Sequence, residues 1–316
     1  MKFENKFVLI IVACIAIYAT FLFISDMNII YEKISTFQFS YLPLILTLVT
    51  LSWIPLFLKW NFLLKNCEIN LPIKQSILVF LSGPAFEITP GQVGVLMKSQ
   101  ILKNSSNISR TKTVPIIMLE KIYDLIGAII ASVLGIIILG LNFYLIIIAI
   151  VALTVIFFFM YYKPASKLFF NRLAKTKFFS KYIENISEFE KYVEKSTTKK
   201  ISTLSILLSV SYWFIMAGAA YTILLSFDVD IFSYLEILSI YSTSILLGAI
   251  SFIPAGMGVT EGSITGLLTV YGLDLSTALI LSVMIRILTL WYSVSVGFIA
   301  AKFSGGLSFK NDNLPS

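Results

Sequence analysis

The chain has 316 residues, of which 58% are hydrophobic and only 13% are charged, and its mean hydropathy is +0.90. Soluble domains carry about 25% charged residues, so this composition excludes a soluble globular protein and indicates a polytopic α-helical membrane protein. The lack of histidine and the presence of only two cysteines exclude a Cys/His metal site and a histidine-based catalytic triad, and we predict neither a metal nor a cofactor.

The N-terminal third begins with two predicted membrane spans. Residues 7–25 form an apolar run of about the length that crosses hydrocarbon, and two lysines precede it. A cleaved signal peptide is the alternative, but this apolar core is longer than a signal core and no small-x-small cleavage site follows. Residues 40–58 form the second predicted span. Lys59 and two further lysines follow it and indicate the cytoplasmic side.

Residues 73–103 are apolar but too short for two crossings, and they are interrupted at Pro90, Gly91 and Gly94. Proline removes a backbone donor and glycine permits unusual backbone angles, so the pattern predicts a broken helix. Because basic residues lie on both sides, we expect a re-entrant hairpin that enters from the cytoplasm and returns there. Non-helical backbone at membrane depth must be buried in protein or line a wet cavity.

Residues 115–139 and 143–162 are the third and fourth predicted spans, joined by an uncharged turn. Residues 163–200 hold ten Lys and Arg against four Glu, so the net charge of +7 indicates a cytoplasmic loop near anionic lipid headgroups rather than a nucleic-acid partner. Apolar side chains recur there at helical spacing and predict an amphipathic helix on the membrane surface. These side chains are Phe179, Tyr182, Ile183, Ile186, Phe189 and Val193.

Residues 201–227 and 276–303 are the fifth and last predicted spans, and the tail 304–316 is expected to be cytoplasmic. A second interrupted stretch, residues 234–271, lies between them. Two aspartates precede this stretch, so we expect a re-entrant hairpin that opens from the outside.

The second interruption contains Pro254, Gly256 and Gly258, and its proline and last glycine lie 164 residues after their counterparts in the first interruption. We therefore predict an all-α membrane protein with about six full spans and two re-entrant broken hairpins. Residues 1–139 and 140–303 would form an inverted-topology repeat. Paired interruptions of this kind point to a transporter's binding site at the midplane.

Charged residues within the predicted spans are functional candidates, because each is costly in hydrocarbon. Glu120, Lys121 and Asp124 lie in the third span, and Arg286 lies alone in the last span. Subtracting 164 from position 286 gives position 122, inside the acidic cluster. We hypothesise that Arg286 lines a cavity and pairs with a substrate phosphate or with Glu120 or Asp124. A purely structural ion pair is the alternative.

Glu261 falls in the first turn of the half-helix after the second break, where it would either cap the helix or couple protons. The free N–H groups at the starts of both half-helices, around 91–94 and 256–258, would bind an anion such as a phosphate. We expect Lys98, which follows the first break, to extend to the cytoplasmic surface.

Three segments of the chain resemble the transmembrane region of the lysylphosphatidylglycerol synthase family. They are P-G-x-x-G from Pro90 to Gly94, E-K-x-x-D from Glu120 to Asp124 and P-x-G-x-G-x-x-E-G from Pro254 to Gly262. The resemblance covers about residues 5–303 and implies a lipid-translocating module. In bifunctional members a separate soluble domain transfers the lysyl group, and this sequence shows no such domain, so we expect no enzyme activity.

The predicted function is movement of an anionic phospholipid, an aminoacyl-phospholipid or a polyprenyl-phosphate-type lipid between leaflets by alternating access. The predicted partners are membrane lipids in the plasma membrane, with both termini cytoplasmic, and the sequence leaves self-association open. The alternatives are an ion-coupled transporter of a small solute and a scaffold for a lipid-modifying enzyme. The candidate substrate-binding residues are Pro90, Gly91, Gly94, Glu120, Lys121, Asp124, Pro254, Gly256, Gly258, Glu261 and Arg286.

Overall fold

A computed structural model describes residues 35–138, 143–174, 176 and 185–304, and this part of the chain is helical with no strand. The α-helices are α1 (Leu42–Asn66), α2 (Ile73–Glu87), α3 (Met97–Ser106), α4 (Arg110–Ile138), α5 (Phe143–Tyr161), α6 (Lys163–Ala174), α7 (Ile186–Ser196), α8 (Lys199–Leu225), α9 (Tyr234–Ile250), α10 (Val259–Val270), α11 (Leu275–Arg286) and α12 (Tyr292–Phe303). Short 3-10 turns at Pro90–Leu96 and Pro254–Gly256 form what we call the first break and the second break.

In the described part of the chain, three helices are long and apolar enough to cross a membrane, namely Phe39–Asn66, Lys199–Leu225 and Leu275–Phe303. They correspond to the predicted second, fifth and last spans. The predicted fourth span corresponds to α5, which meets α6 at an angle of 91° and forms a bent pair with it. The predicted first span and the turn at 140–142 lie outside the described residues.

Helix α1 continues to Asn66, although the predicted second span ended at residue 58. The difference arises because Lys59 is not the end of the apolar run but a buried residue inside the helix. Large apolar side chains of the same helix, such as Leu51 and Ile54, are exposed, which suits a helix that faces hydrocarbon.

The last span has an interruption that the sequence did not predict. A π-helical turn at Ile287–Trp291 separates α11 from α12 and begins directly after Arg286. Single π turns within α-helices frequently occur at functional sites. This turn lies next to the buried charge of Arg286.

The two predicted interrupted stretches are pairs of short helices that pack against each other, α2 with α3 and α9 with α10. Their longest member, α9, has 17 residues, whereas a membrane span needs about 20. The prediction of broken helices at both breaks is therefore confirmed.

The 164-residue offset recurs in the helix bounds. Helices α2 and α3 shifted by 164 residues give 237–251 and 261–270, close to α9 and α10. Helix α4 shifted in the same way gives 274–302, which corresponds to α11 and α12. The packing follows the same correspondence, since α2 packs on α12 while α9 packs on α4, and the counterparts α1 and α8 pack on each other.

Helix α7 does not present its apolar side to a membrane surface, in contrast to the prediction. Phe189 and Val193 are buried, and α7 packs against α4. The hydroxyl of Tyr123 on α4 donates a 2.7 Å hydrogen bond to the carbonyl of Ser196 at the end of α7. An amphipathic helix can place its apolar side against a membrane surface or against the rest of the protein. In α7 the apolar side packs against the protein. Residues 179–184 of the predicted helix lie outside the described part.

Candidate functional site

The two breaks contact each other, so the features that interrupt the two stretches meet in space. Gln92 and Gly256 occupy matching positions in the breaks, and both have left-handed φ angles, 56° and 65°. In the first break, Thr89 folds back so that its hydroxyl accepts a 2.7 Å hydrogen bond from the Gly94 N–H. This contact occupies the Gly94 N–H, which was predicted to be free to bind an anion.

A cavity of about 670 Å³ lies at this meeting point. Most of its wall is apolar, as in ligand-binding pockets generally. The charged residues in the wall are Glu87, Lys98, Glu120, Lys121, Asp124 and Arg286. Large apolar side chains that line the same cavity are exposed at its edge, including Phe169 at 41% and Phe252 at 70%. The cavity thus combines a charged interior with an apolar rim.

Arg286 pairs with Glu261, and not with Glu120 or Asp124 as one form of the hypothesis proposed. Arg286 Nε donates to Glu261 Oε1 at 2.8 Å, and a second guanidinium nitrogen donates to the carbonyl of Ala255 in the second break. Both charged side chains are almost fully buried. The planar guanidinium can hold both acceptors at once, so Arg286 fixes the second break to α11.

Glu261 caps its own helix, as one alternative predicted. Its Oε2 accepts a 2.7 Å hydrogen bond from the N–H of Gly258, which precedes α10 with a φ of 78°. This contact overturns the prediction of a free anion-binding N–H at Gly258. The N–H of Gly256 is also used, because it donates to the Ile253 carbonyl at 2.9 Å. The charge of the Glu261 carboxylate takes the place that a ligand phosphate was predicted to occupy.

Lys98 is buried and does not extend to the surface. Its Nζ lies 2.5 Å from Glu120 Oε2 and 4.2 Å from the centre of the Trp60 ring. A cation over an aromatic face and beside a carboxylate can remain charged inside a protein. The first half of the chain therefore holds a buried ion pair just after its break, as the second half does with Glu261 and Arg286.

Lys59 is a site residue that the sequence reasoning missed. It is fully buried and forms an ion pair with Asp124, and its Nζ also donates to Ser209 Oγ at 2.8 Å. These contacts join α1, α4 and α8. The signal was present in the sequence, because Lys59 is followed at once by Trp60 and an apolar run. A lysine inside such a run is a functional candidate.

Lys121 and Glu87 form the most accessible ion pair of the cavity. Their Nζ and Oε1 atoms are 2.5 Å apart, and the side chains are 27% and 29% exposed. The structure thus brings together Glu120, Lys121, Asp124, Gly256 and Arg286 in one wall, with Glu261 directly behind it.

The other candidate residues form the backbone of the two breaks. Pro90, Gly91 and Gly94 form part of the first break, and Pro254 forms part of the second.

Comparison with known proteins agrees with this arrangement of helices. Residues 10–297 match the family described as the lysylphosphatidylglycerol synthase TM region. A similar protein is the UPF0104 membrane protein PH1989 of Pyrococcus horikoshii, which is 26% identical over 270 residues that cover 76% of this chain and 79% of that protein. The chain therefore belongs to the lysylphosphatidylglycerol synthase transmembrane-region family.

Proposed function

We propose that this protein moves the polar headgroup of a membrane lipid between the two leaflets of the bilayer through the cavity at the breaks. The observation that carries the proposal is the combination of a charged interior with an exposed apolar rim at Phe169, Phe252 and Ile253. A lipid needs polar contacts for its headgroup and an apolar exit for its acyl chains. A small soluble solute needs no apolar rim, so this observation favours the lipid.

The architecture that we propose for this movement is an inverted-topology repeat with about six spans. Support comes from the 164-residue offset in helix bounds and from the matched packing of α2 on α12 and α9 on α4. A two-fold axis in the membrane plane would relate the halves and place the two breaks near the midplane. Rocking of one half against the other would then open the cavity alternately to each leaflet.

We also propose that α6 and α7 lie on the cytoplasmic side of the plasma membrane. The segment that contains them holds most of the excess basic charge of the chain, and such segments are retained in the cytoplasm. Both chain termini would then be cytoplasmic. Lipid movement rather than synthesis is the proposed activity, with membrane lipids as the partners.

Reconstitution tests the proposal. Purified protein in liposomes should accelerate the exchange of acyl-chain-labelled phospholipids between leaflets, relative to protein-free liposomes of the same composition. Uptake of a soluble solute without lipid exchange would favour a solute transporter. Co-purification of a lipid-modifying enzyme, with no exchange at all, would favour a scaffold.

A further inference from the structure

The charges of the cavity cancel. Among the described residues, the wall and the side chains paired with it hold four cations and four carboxylates, in four ion pairs. The pairs are Lys59 with Asp124, Lys98 with Glu120, Lys121 with Glu87, and Arg286 with Glu261. In a site of low dielectric constant this balance matters, because an uncompensated charge interacts strongly and is poorly solvated.

Three of the four pairs are held too firmly to give way to a ligand. Lys59 has Ser209 as an additional partner, Lys98 lies over Trp60, and Arg286 also donates to Ala255. Each of these cations is no more than 3% exposed. Separating such a pair would leave buried charges without compensation.

The pair of Lys121 with Glu87 differs in both respects. Each side chain is more than a quarter exposed to the cavity, and within the described ranges neither makes a hydrogen bond to any other residue. Both belong to helices beside the first break, Glu87 at the end of α2 and Lys121 on α4. A ligand can therefore separate them without disturbing the helix contacts that the other pairs maintain.

We infer that the headgroup taken by this cavity is zwitterionic, with a phosphate that binds Lys121 and an ammonium group that binds Glu87. This inference rests on the proposed function and names its substrate class. A zwitterion replaces both partners of the pair and keeps the total charge of the cavity at zero. A headgroup with a net negative charge would satisfy Lys121 but leave Glu87 as an unpaired carboxylate beside it.

The test uses two phospholipids with the same labelled acyl chain, one with a phosphoethanolamine and one with a phosphoglycerol headgroup, in liposomes of matched surface charge. The wild-type protein should exchange the phosphoethanolamine lipid at least about tenfold faster. Glu87→Gln leaves the cavity with one excess positive charge, so this variant should shift the preference towards the phosphoglycerol lipid by about tenfold or more. The exchanged pair Glu87→Lys with Lys121→Glu keeps the charge at zero and should retain the zwitterion preference.

The matched control is the ion pair of Glu68 with Lys195, which lies outside the cavity and joins the same residue types at 2.8 Å. The hydrogen bond from Lys195 lowers the pKa of the Glu68 carboxyl, so Glu68 is ionised at neutral pH. Glu68→Gln should leave both exchange rates and their ratio unchanged.

Four outcomes would overturn the inference. Faster exchange of the phosphoglycerol lipid by the wild-type protein would overturn it and leave the lipid-transport proposal intact. An unchanged lipid preference in a folded Glu87→Gln protein would do the same. Exchange of neither lipid would overturn both proposals. If Glu87→Gln fails to fold, the exchanged pair decides, because loss of zwitterion preference in that folded protein contradicts the inference.

Discussion

Gln92 and Gly256 stand 164 residues apart in the chain, and both hold left-handed backbone angles where the two breaks contact each other. Left-handed angles are strained for a residue with a Cβ atom, and each break contains such a residue, Gln92 in the first and Ala255 with a φ of 55° in the second. The two breaks thus share a backbone geometry although their side chains differ. Contacts between the breaks hold that geometry in place.

The second break should not accept a side chain at Gly256. A Cβ there would lie 2.7 Å from Thr260 Oγ1 and 2.9 Å from the Cα of Gly248, on a backbone with φ of 65°. We expect Gly256→Ala to reduce the free energy of unfolding by about 2–4 kcal/mol, from backbone strain and overpacking together. Thermal unfolding in detergent measures this loss.

Gly262 provides the matched control, because a Cβ at that position has no neighbour within 4 Å. Gly262→Ala lies inside α10 and should be neutral or stabilise the protein by up to about 1 kcal/mol. Equal unfolding temperatures for the two alanine variants would contradict the described packing of the second break.

Lys59 should be essential for stability as the partner of Asp124. Lys59→Met leaves a carboxylate without its buried cation and should cost about 3–5 kcal/mol, while Asp124→Asn in the same chain should recover most of that loss. Lys65→Met, at an exposed position of the same helix, should change stability by less than about 0.5 kcal/mol. A folded Lys59→Met protein as stable as wild type would show that the pair does not join the helices.

Arg286 should tolerate neither lysine nor glutamine. Arg286→Lys keeps the charge but cannot reach Glu261 and Ala255 together, and we expect a loss of about 1.5–3 kcal/mol for the hydrogen bond to a charged group. Arg286→Gln should lose about 3–5 kcal/mol, because Glu261 is then buried without a cation. Unfolding and lipid exchange should be measured on the same samples. Full stability and full exchange in both variants would remove Arg286 from the site.

The contact of α2 with α12 depends on the absence of a side chain at Gly297. A Cβ there would lie 2.6 Å from the backbone nitrogen of Ala85. Gly297→Ala should push the helices apart and cost about 1–3 kcal/mol. Gly266→Ala, where a Cβ meets nothing within 4 Å, should instead gain up to about 1 kcal/mol. Thermal unfolding of both variants measures the difference. A higher unfolding temperature for Gly297→Ala than for Gly266→Ala would contradict the close approach of α2 and α12.

Local features of the chain were predictable from the sequence. Proline and glycine chemistry identified both breaks, and the length of the apolar runs identified the spans that became α1, α8 and the helix from α11 to α12. These features depend on a few neighbouring residues, so a linear pattern is enough to find them.

The pairing of charges was not predictable in the same way. Arg286 was predicted to pair with a substrate phosphate or with one of the carboxylates Glu120 and Asp124, because their positions in the two halves match, yet it pairs with Glu261. Which partner a buried charge meets depends on how each helix is rotated about its axis and on where the breaks redirect it. The burial of Lys98 and the packing of α7 on α4 also depend on how the helices are arranged in three dimensions, which a linear pattern does not specify.

We propose that lipid headgroups pass through the cavity. A larger side chain that fills the cavity tests this proposal most directly. Ala249 lines the cavity and is partly exposed to it, whereas Ile299 is 59% exposed on the outer side of α12 and does not line it. In liposomes, Ala249→Trp should slow the exchange of labelled phospholipid by about tenfold or more, and Ile299→Trp should leave it within about twofold of wild type. Unchanged exchange by a folded Ala249→Trp protein would contradict the account.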